Sequence, residues 1–145
     1  MSVALIDHLS FGVRDLDRAC TFYDAALAPL GLARVHRFEA EGPEHPWRSA
    51  GYGPVATAAD AAIEAAQFWL EERPGATPAG AGFHLCFHAV DRAAVHAFHA
   101  AGLAAGGTDN GAPGPRPHYD PPGYYASFLI DPDGWKIEAV TFSAI

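Results

Sequence analysis

Three residues of this sequence combine a metal-ligating type with a position that favours one site: His8, His84 and Glu138. Glu138 lies in the segment WKIEAV, and a carboxylate among apolar neighbours is costly to bury without a proton, a cation or a metal. Two imidazoles and one carboxylate suit a divalent cation and leave coordination positions open for a substrate. These residue types therefore predict metal-assisted chemistry.

The two histidines open two copies of one unit. Residues 8–31 align without a gap onto residues 84–107, and the identities include Asp15 with Asp91. A lone strand histidine or glutamate is usually a polar surface residue, so neither type alone indicates a ligand. Two copies of one unit can bring matching positions together across a pseudo-twofold axis. The matched positions of the histidines therefore favour one shared site.

Each copy has the pattern of a strand followed by a helix. Leu9 and Phe11 alternate with His8, which predicts a half-buried strand with the histidine on the face opposite the core. Asp15 and Asp91 are good N-cap residues for the helices that follow. The sequence thus predicts helices on the apolar strand faces and a cleft on the opposite faces.

Further strands follow in both halves. They are expected near residues 33–39, 47–52, 67–71, 124–130 and 135–142, with an alanine-rich helical insertion at 55–66 and a loop at 105–123 that contains a short strand. Each half then has the order β-α-β-β-β. We predict one compact domain made of a first module (residues 1–73), a linker (74–82) and a second module (83–145).

Composition limits the class of protein. The chain has 145 residues, of which 50% are hydrophobic and 18% are charged, so it can bury a sizeable core. Its net charge of −8 argues against nucleic-acid binding. It shows no apolar run long enough to span a membrane and no signal peptide. Cys20 and Cys86 do not form a disulfide framework. We expect a cytoplasmic protein with a small-molecule partner and neither nucleic acid nor membrane.

Three segments together cover well over half of the chain: IDHLSFGVRDLDRACTFYDAALAPLGL, GFHLCFHAVDRAAVHAFHAAGLAAGG and YYASFLIDPDGWKIEAV. In order and spacing they resemble the vicinal oxygen chelate superfamily. That superfamily includes glyoxalase I, extradiol dioxygenases, fosfomycin resistance proteins and bleomycin resistance proteins. The resemblance implies an α+β fold in which two paired βαβββ modules form a curved mixed sheet around a central cleft.

The resemblance also implies metal ligands from the first and fourth strands of each module. His8 and His84 occupy the first-strand positions, and Glu138 occupies the last-strand position of the second module. The remaining position falls near Gln67, although Trp69 lies on the same strand face and leaves the register open. The implied metal is a divalent ion (Fe, Mn, Ni or Zn) that acts as a Lewis acid on two adjacent substrate oxygens.

Other polar and aromatic residues are candidates for the cleft. Glu138 is expected to act in catalysis, and Tyr124 or Tyr125 to supply a phenol, with Tyr125 taken as the catalytic one. Trp69 and the loop RPHYDPP, which contains Arg116, His118, Tyr119 and Asp120, are candidates to contact substrate. The alternative for the loop is a rigid surface connection whose aromatic residues only pack.

Two classes of function remain open on the sequence. The first is a metal-dependent enzyme, either a lyase or isomerase or an extradiol-type dioxygenase. The second is a non-catalytic binding protein that sequesters a drug or another small molecule, as in the bleomycin resistance branch. The modules can pair within one chain or between two chains, and we expect a homodimer.

Overall fold

Each half of the chain folds into a β-α-β-β-β unit. The computed structural model describes residues 5–55, 65–119 and 122–145. The first unit contains β1 (Leu9–Val13), α1 (Leu16–Leu27), a 3₁₀ turn (Ala28–Leu30), β2 (Leu32–Phe38), β3 (Ser49–Pro54) and β4 (Phe68–Glu72). The second contains β5 (Leu85–His88), α2 (Arg92–Ala104), β6 (Thr108–Pro115), β7 (Tyr125–Ile130) and β8 (Lys136–Thr141).

The two aspartates predicted as N-caps do cap the helices. The Asp15 side chain accepts a hydrogen bond from the Arg18 amide at 3.1 Å, and Asp91 accepts one from the Ala94 amide at 2.8 Å. These bonds satisfy N–H groups that have no partner within the helix. After the 3₁₀ turn, Gly31 adopts φ +75°, where a side chain would be strained. The capping chemistry read from the sequence is therefore confirmed.

The strands form two four-stranded mixed sheets. Their orders are β1-β4-β3-β2 and β5-β8-β7-β6. β1 runs parallel to β4 and β5 parallel to β8, whereas the other neighbours are antiparallel. The predicted α+β fold of paired βαβββ modules is confirmed. In the described parts of the chain the two sheets are hydrogen-bonded separately, and β1 and β5 each lie at a sheet edge.

One hydrophobic core cluster contains residues of both modules. The Phe11 ring stacks on Trp135 with centroids 4.1 Å apart, and the Tyr23 hydroxyl donates to Asp131 Oδ2 at 2.6 Å. Both helices and the helix-facing sides of both sheets pack into this cluster. Burial of this apolar surface is the main stabilising term. The opposite faces of the two sheets are consequently turned away from the shared core.

Two segments outside the core, 55–66 and 105–123, were also predicted from the sequence. The predicted helical insertion at 55–66 lies mostly outside the described residues. The segment 105–123, expected to be a loop with a short strand, contains the eight-residue strand β6. β6 is an edge strand whose pairing with β7 shifts at Gly111, and edges and bulges are where sheets accept proline and glycine.

No helix in residues 5–55, 65–119 and 122–145 has the length and apolar character needed to cross a membrane.

Candidate metal site

Glu138 is buried on the outer face of the second sheet. The β-ladders pair it with Cys86 on one side and Phe128 on the other, so these three side chains share a face. Ile137 and Ala139 alternate to the opposite face and join the core. Glu138 is 0% exposed, so its carboxylate must be compensated by neighbouring polar groups or by a ligand.

His84 and Tyr124 approach the two carboxylate oxygens of Glu138 from different directions. His84 Nε2 lies 3.0 Å from Oε2, and the Tyr124 hydroxyl donates to Oε1 at 2.5 Å. His84 precedes β5, and its ring packs edge-on against Phe128 with centroids 6.2 Å apart. The second module therefore brings together the imidazole and the carboxylate predicted from the sequence.

The Oε2 atom of Glu138 has no hydrogen-bond partner in the described part of the chain, although His84 Nε2 is within 3.0 Å. Distance and orientation disagree here: the atoms are close enough, but the imidazole is not oriented to donate. Two donor atoms that each lie about 2.1 Å from one cation are roughly 3.0–3.4 Å apart, from right-angled to tetrahedral geometry. The pair therefore fits two ligands that face a common cation.

His8 does not join this pair within one chain. Its side chain is 54% exposed, and Nδ1 lies 2.7 Å from Asp7 Oδ1. Among the described residues, no group of three or more His, Cys, Asp or Glu side chains is close enough to hold a metal ion. A single chain thus presents the His84–Glu138 pair and His8 as two separate parts of the predicted ligand set.

The ladder register identifies the first-module counterpart of Glu138. In the second module Cys86 pairs with Glu138. Ser10, which matches Cys86 in the repeat, pairs with Trp69. Trp69 therefore occupies the position for which the sequence suggested Gln67, and this register corrects that placement. Gln67 lies two residues earlier and is the counterpart of Lys136.

Gln67 and Trp69 have different surroundings. Gln67 is exposed and lines, with Leu85 and Cys86, a cavity of about 210 Å³ between the modules. Trp69 is half-buried and lies with its ring 6.1 Å from Phe38, nearly parallel to it. The outer face of the first sheet is therefore aromatic where that of the second sheet carries a carboxylate.

Tyr125 is directed away from the site. It pairs with Thr141 in the ladder and alternates with Ala126 and Phe128, which places it on the helix-covered face. Its hydroxyl lies 2.7 Å from His96 Nε2 on α2. This position corrects the expectation that Tyr125 supplies the phenol, because the phenol beside Glu138 belongs to Tyr124.

The four loop residues predicted to contact substrate have different outcomes. Tyr119 and His84 line a cavity of about 200 Å³ next to the Glu138 site. Arg116 lines a neighbouring cavity of about 310 Å³ with Tyr124, but its guanidinium donates to two backbone carbonyls of β6. His118 is exposed and lines neither cavity. Asp120 lies outside the described residues.

Cys86 also lies at the site, as the ladder partner of Glu138, although it is not among the site residues predicted from the sequence. Although the residue is partly exposed, burial of its thiol and the charge of Glu138 raise its pKa to about 12. A thiol with this pKa is protonated at neutral pH and is a poor nucleophile. Strand alternation puts Cys86 on the same face as His84, but alternation alone gives no indication of the contact with Glu138 on the neighbouring strand.

Paired βαβββ modules with histidine and carboxylate donors on their outer faces define an α+β protein with a candidate metal site. Residues 5–139 match the sequence model of the Glyoxalase/Bleomycin resistance protein/Dioxygenase superfamily. The chain therefore belongs to this superfamily.

Solved structures agree with that assignment. A glyoxalase/bleomycin resistance protein from Albidiferax ferrireducens T118 is 32% identical with a TM-score of 0.74, over 94% of this chain and 98% of that chain. Two further structures show a similar fold. Glyoxalase I from Zea mays is 24% identical with a TM-score of 0.66, over 94% of this chain and 45% of that one. The trypanothione-dependent glyoxalase I of Leishmania major is 21% identical with a TM-score of 0.59, over 97% and 88%.

A search of curated proteins gave no significant match.

Proposed function

We propose that this protein is a metal-dependent enzyme in which His8, His84 and Glu138 hold a divalent cation. The observation that carries the proposal is the buried, unpartnered Oε2 atom of Glu138 beside His84 Nε2. Two imidazoles and one carboxylate suit Fe(II), Mn(II), Ni(II) or Zn(II) and leave positions open for a substrate. When bound, such a cation acts as a Lewis acid toward two adjacent oxygens of a small metabolite.

We further propose that two chains complete each site. The modules of one chain share a core through their helix-bearing faces, so the faces with His8 and with Glu138 are turned away from that core. β1 and β5 are both edge strands and are open to pairing with another chain. A homodimer that joins β1 of one chain to β5 of its partner would bring His8 of one chain toward His84 and Glu138 of the other.

The remaining residues would shape the substrate space. His84, Phe128 and Tyr119 border the cavity of about 200 Å³ beside the carboxylate. Trp69, from the opposite module, would present its ring across the completed cleft. Gln67 keeps a candidate role at the edge of this cleft, two residues from the fourth ligand position. This set favours lyase, isomerase or dioxygenase chemistry on a small oxygen-rich metabolite.

One observation favours a second candidate function. Trp69, Phe38 and His36 form an aromatic cluster, with centroid distances between 4.2 and 6.4 Å. Aromatic faces bind planar ligands without metal chemistry. The second candidate is therefore a non-catalytic protein that sequesters an aromatic small molecule, as the bleomycin resistance branch suggests.

Metal analysis distinguishes the two functions. We expect purified protein to bind about one divalent ion per chain and to gain thermal stability with it, because a ligand of the native state stabilises that state. The substitution His84→Ala should abolish both effects, whereas His88→Ala, an exposed neighbour on β5, should change neither. No metal binding in the wild type, with an aromatic ligand held equally well by His84→Ala, would support the sequestering function.

A mixing experiment tests the shared site. His8→Ala and Glu138→Gln each remove one ligand, so neither homodimer should bind metal tightly. If the sites lie between chains, random mixing of the two variants makes about half of the dimers mixed. Each mixed dimer has one complete site and one site that lacks both His8 and Glu138, so about a quarter of all metal sites are intact. If all ligands of a site come from one chain, mixing restores none.

A further inference from the structure

We infer that Tyr124 is a positioning residue for Glu138: its hydroxyl holds Oε1 so that Oε2 is the oxygen presented beside His84. The inference rests on the proposed metal site. It gives Tyr124, one of the two candidate phenols of the sequence, a role toward the carboxylate that the family match does not assign. The Tyr124 hydroxyl donates its hydrogen bond to the carboxylate of Glu138. It therefore acts through Glu138.

The first observation is that the two carboxylate oxygens of Glu138 have different surroundings. Oε1 accepts the Tyr124 hydroxyl at 2.5 Å, the length of a strong O–H···O⁻ hydrogen bond. Oε2 is buried, has no hydrogen-bond partner among the described residues and lies 3.0 Å from His84 Nε2. One oxygen is anchored, and the other is free to bind a cation.

The second observation is that Tyr124 is itself fixed in place. Its ring meets Tyr119 and Phe142 edge-on, with centroids 5.0 and 5.4 Å away. Its carbonyl accepts a hydrogen bond from the Arg116 amide at 2.8 Å, which closes the proline-rich loop onto the start of β7. A rigid donor can set the orientation of the group it binds, and Tyr124 meets that condition.

The Tyr124 hydrogen bond is needed because the last torsion of a glutamate side chain rotates easily. Rotation about the bond to the carboxyl carbon is broad and roughly two-fold, so an unanchored Glu138 could present either oxygen or both. The Tyr124 bond selects one oxygen and compensates part of the buried charge. Partners of this kind affect metal affinity by about 10- to 100-fold.

The next residue in the chain provides a matched control. Tyr125, the first residue of β7, also carries a phenol, but its hydroxyl bonds to His96 on the helix-covered face. Tyr124→Phe and Tyr125→Phe each remove one hydroxyl and keep the ring. Only the first removes a hydrogen bond to Glu138.

The test is a titration of the wild-type protein and both variants with Zn(II) and Co(II). We expect Tyr124→Phe to weaken Zn(II) binding by about 10- to 100-fold and to change the visible absorption of the Co(II) protein. Tyr125→Phe should bind within about twofold of the wild type and keep its Co(II) spectrum. A bulk loss of stability would not change the Co(II) spectrum of the folded protein.

A second variant covers the case in which Tyr124→Phe does not fold. Tyr119→Ala removes a ring that braces Tyr124 from an exposed position and should weaken Zn(II) binding several-fold. Wild-type affinity and an unchanged Co(II) spectrum in these variants would overturn the inference while leaving the metal site intact. No binding by the wild-type protein would instead overturn the proposed function and the inference with it.

Discussion

Trp69 occupies on β4 the ladder position that Glu138 occupies on β8. Ser10 pairs with Trp69 in the first module, just as Cys86 pairs with Glu138 in the second. The duplicated unit is therefore symmetric in its backbone and asymmetric in its donors. The first module offers one imidazole and an indole where the second offers an imidazole and a carboxylate.

This register predicts that Trp69→Glu adds a fourth ligand. The new carboxylate would lie on the outer sheet face at the position equivalent to Glu138. We expect divalent metal to bind at least about tenfold more tightly, because affinity rises with the number of charged ligands. Isothermal titration with Ni(II) or Zn(II) measures the change.

Gln67→Glu is the matched control because it adds the same charge two residues away on the same face. We expect it to change affinity less than Trp69→Glu does. Equal or greater tightening by Gln67→Glu would show that the fourth-strand ligand position in the assembled site is residue 67 and not residue 69.

The fold could be predicted from local sequence signals, whereas the register of β4 against β1 could not. Alternation and capping depend on near neighbours, and they identified both helices and the outward faces of the strands that carry His8 and His84. Gln67 and Trp69, however, differ by two residues and so share a face. Periodicity cannot separate them. Only the hydrogen bonds between β1 and β4 do so.

The phenol at the site could have been found from the sequence. The turn at Asp131–Gly134 closes the hairpin of β7 and β8, and pairing outward from it places Phe128 opposite Glu138. Tyr124 has the same parity as Phe128, and Tyr125 has the opposite one. The pairing of the modules could not be found in this way, because either arrangement buries the same apolar faces.

The hydrogen bond between Tyr23 and Asp131 should stabilise the contact between the modules. Both groups are buried, and burial raises the pKa of Asp131 from its ordinary value. Tyr23→Phe leaves the carboxylate without its phenol donor and should lower the free energy of unfolding by about 1–3 kcal/mol. Urea denaturation of the wild type and the variant measures this loss of stability. Tyr52→Phe is the comparison, because the Tyr52 hydroxyl bonds to the exposed Asp24 within one module. This substitution should lower the free energy of unfolding by less than Tyr23→Phe does.

Gly102 of α2 is so closely packed that its replacement by alanine should destabilise the protein, although alanine favours the helix. Alanine is favoured over glycine inside a helix by about 1 kcal/mol. A methyl group at Gly102, however, would overlap Leu129 Cδ1 and press on Phe22 of the other module. We expect overpacking to dominate and Gly102→Ala to lower stability by about 1–2 kcal/mol net. Gly80→Ala, where an added methyl group meets no atom within 4 Å, should be close to neutral in the same thermal denaturation assay.

Glu72 should make stability depend on pH in the acid range. Its carboxylate accepts hydrogen bonds from Arg48 at 2.6 Å and from the Leu16 amide at 2.9 Å, which fixes the start of α1 to the end of β4. The Arg48 bonds above all lower the pKa of Glu72 from its ordinary value of 4.5. The folded-state pKa is thus below the unfolded one. The stabilisation is complete above the unfolded pKa and is lost as the pH falls through the folded pKa.

Glu72→Gln should therefore cost about 1–2 kcal/mol at pH 7, and the difference from the wild type should shrink as the pH falls below 4.5. Urea denaturation of both proteins at several pH values gives this difference directly. The exposed Glu44→Gln is the control and should show little difference at any pH. A cost for Glu72→Gln that stays constant from pH 7 to pH 3 would mean that the side chain acts through packing rather than through its charge.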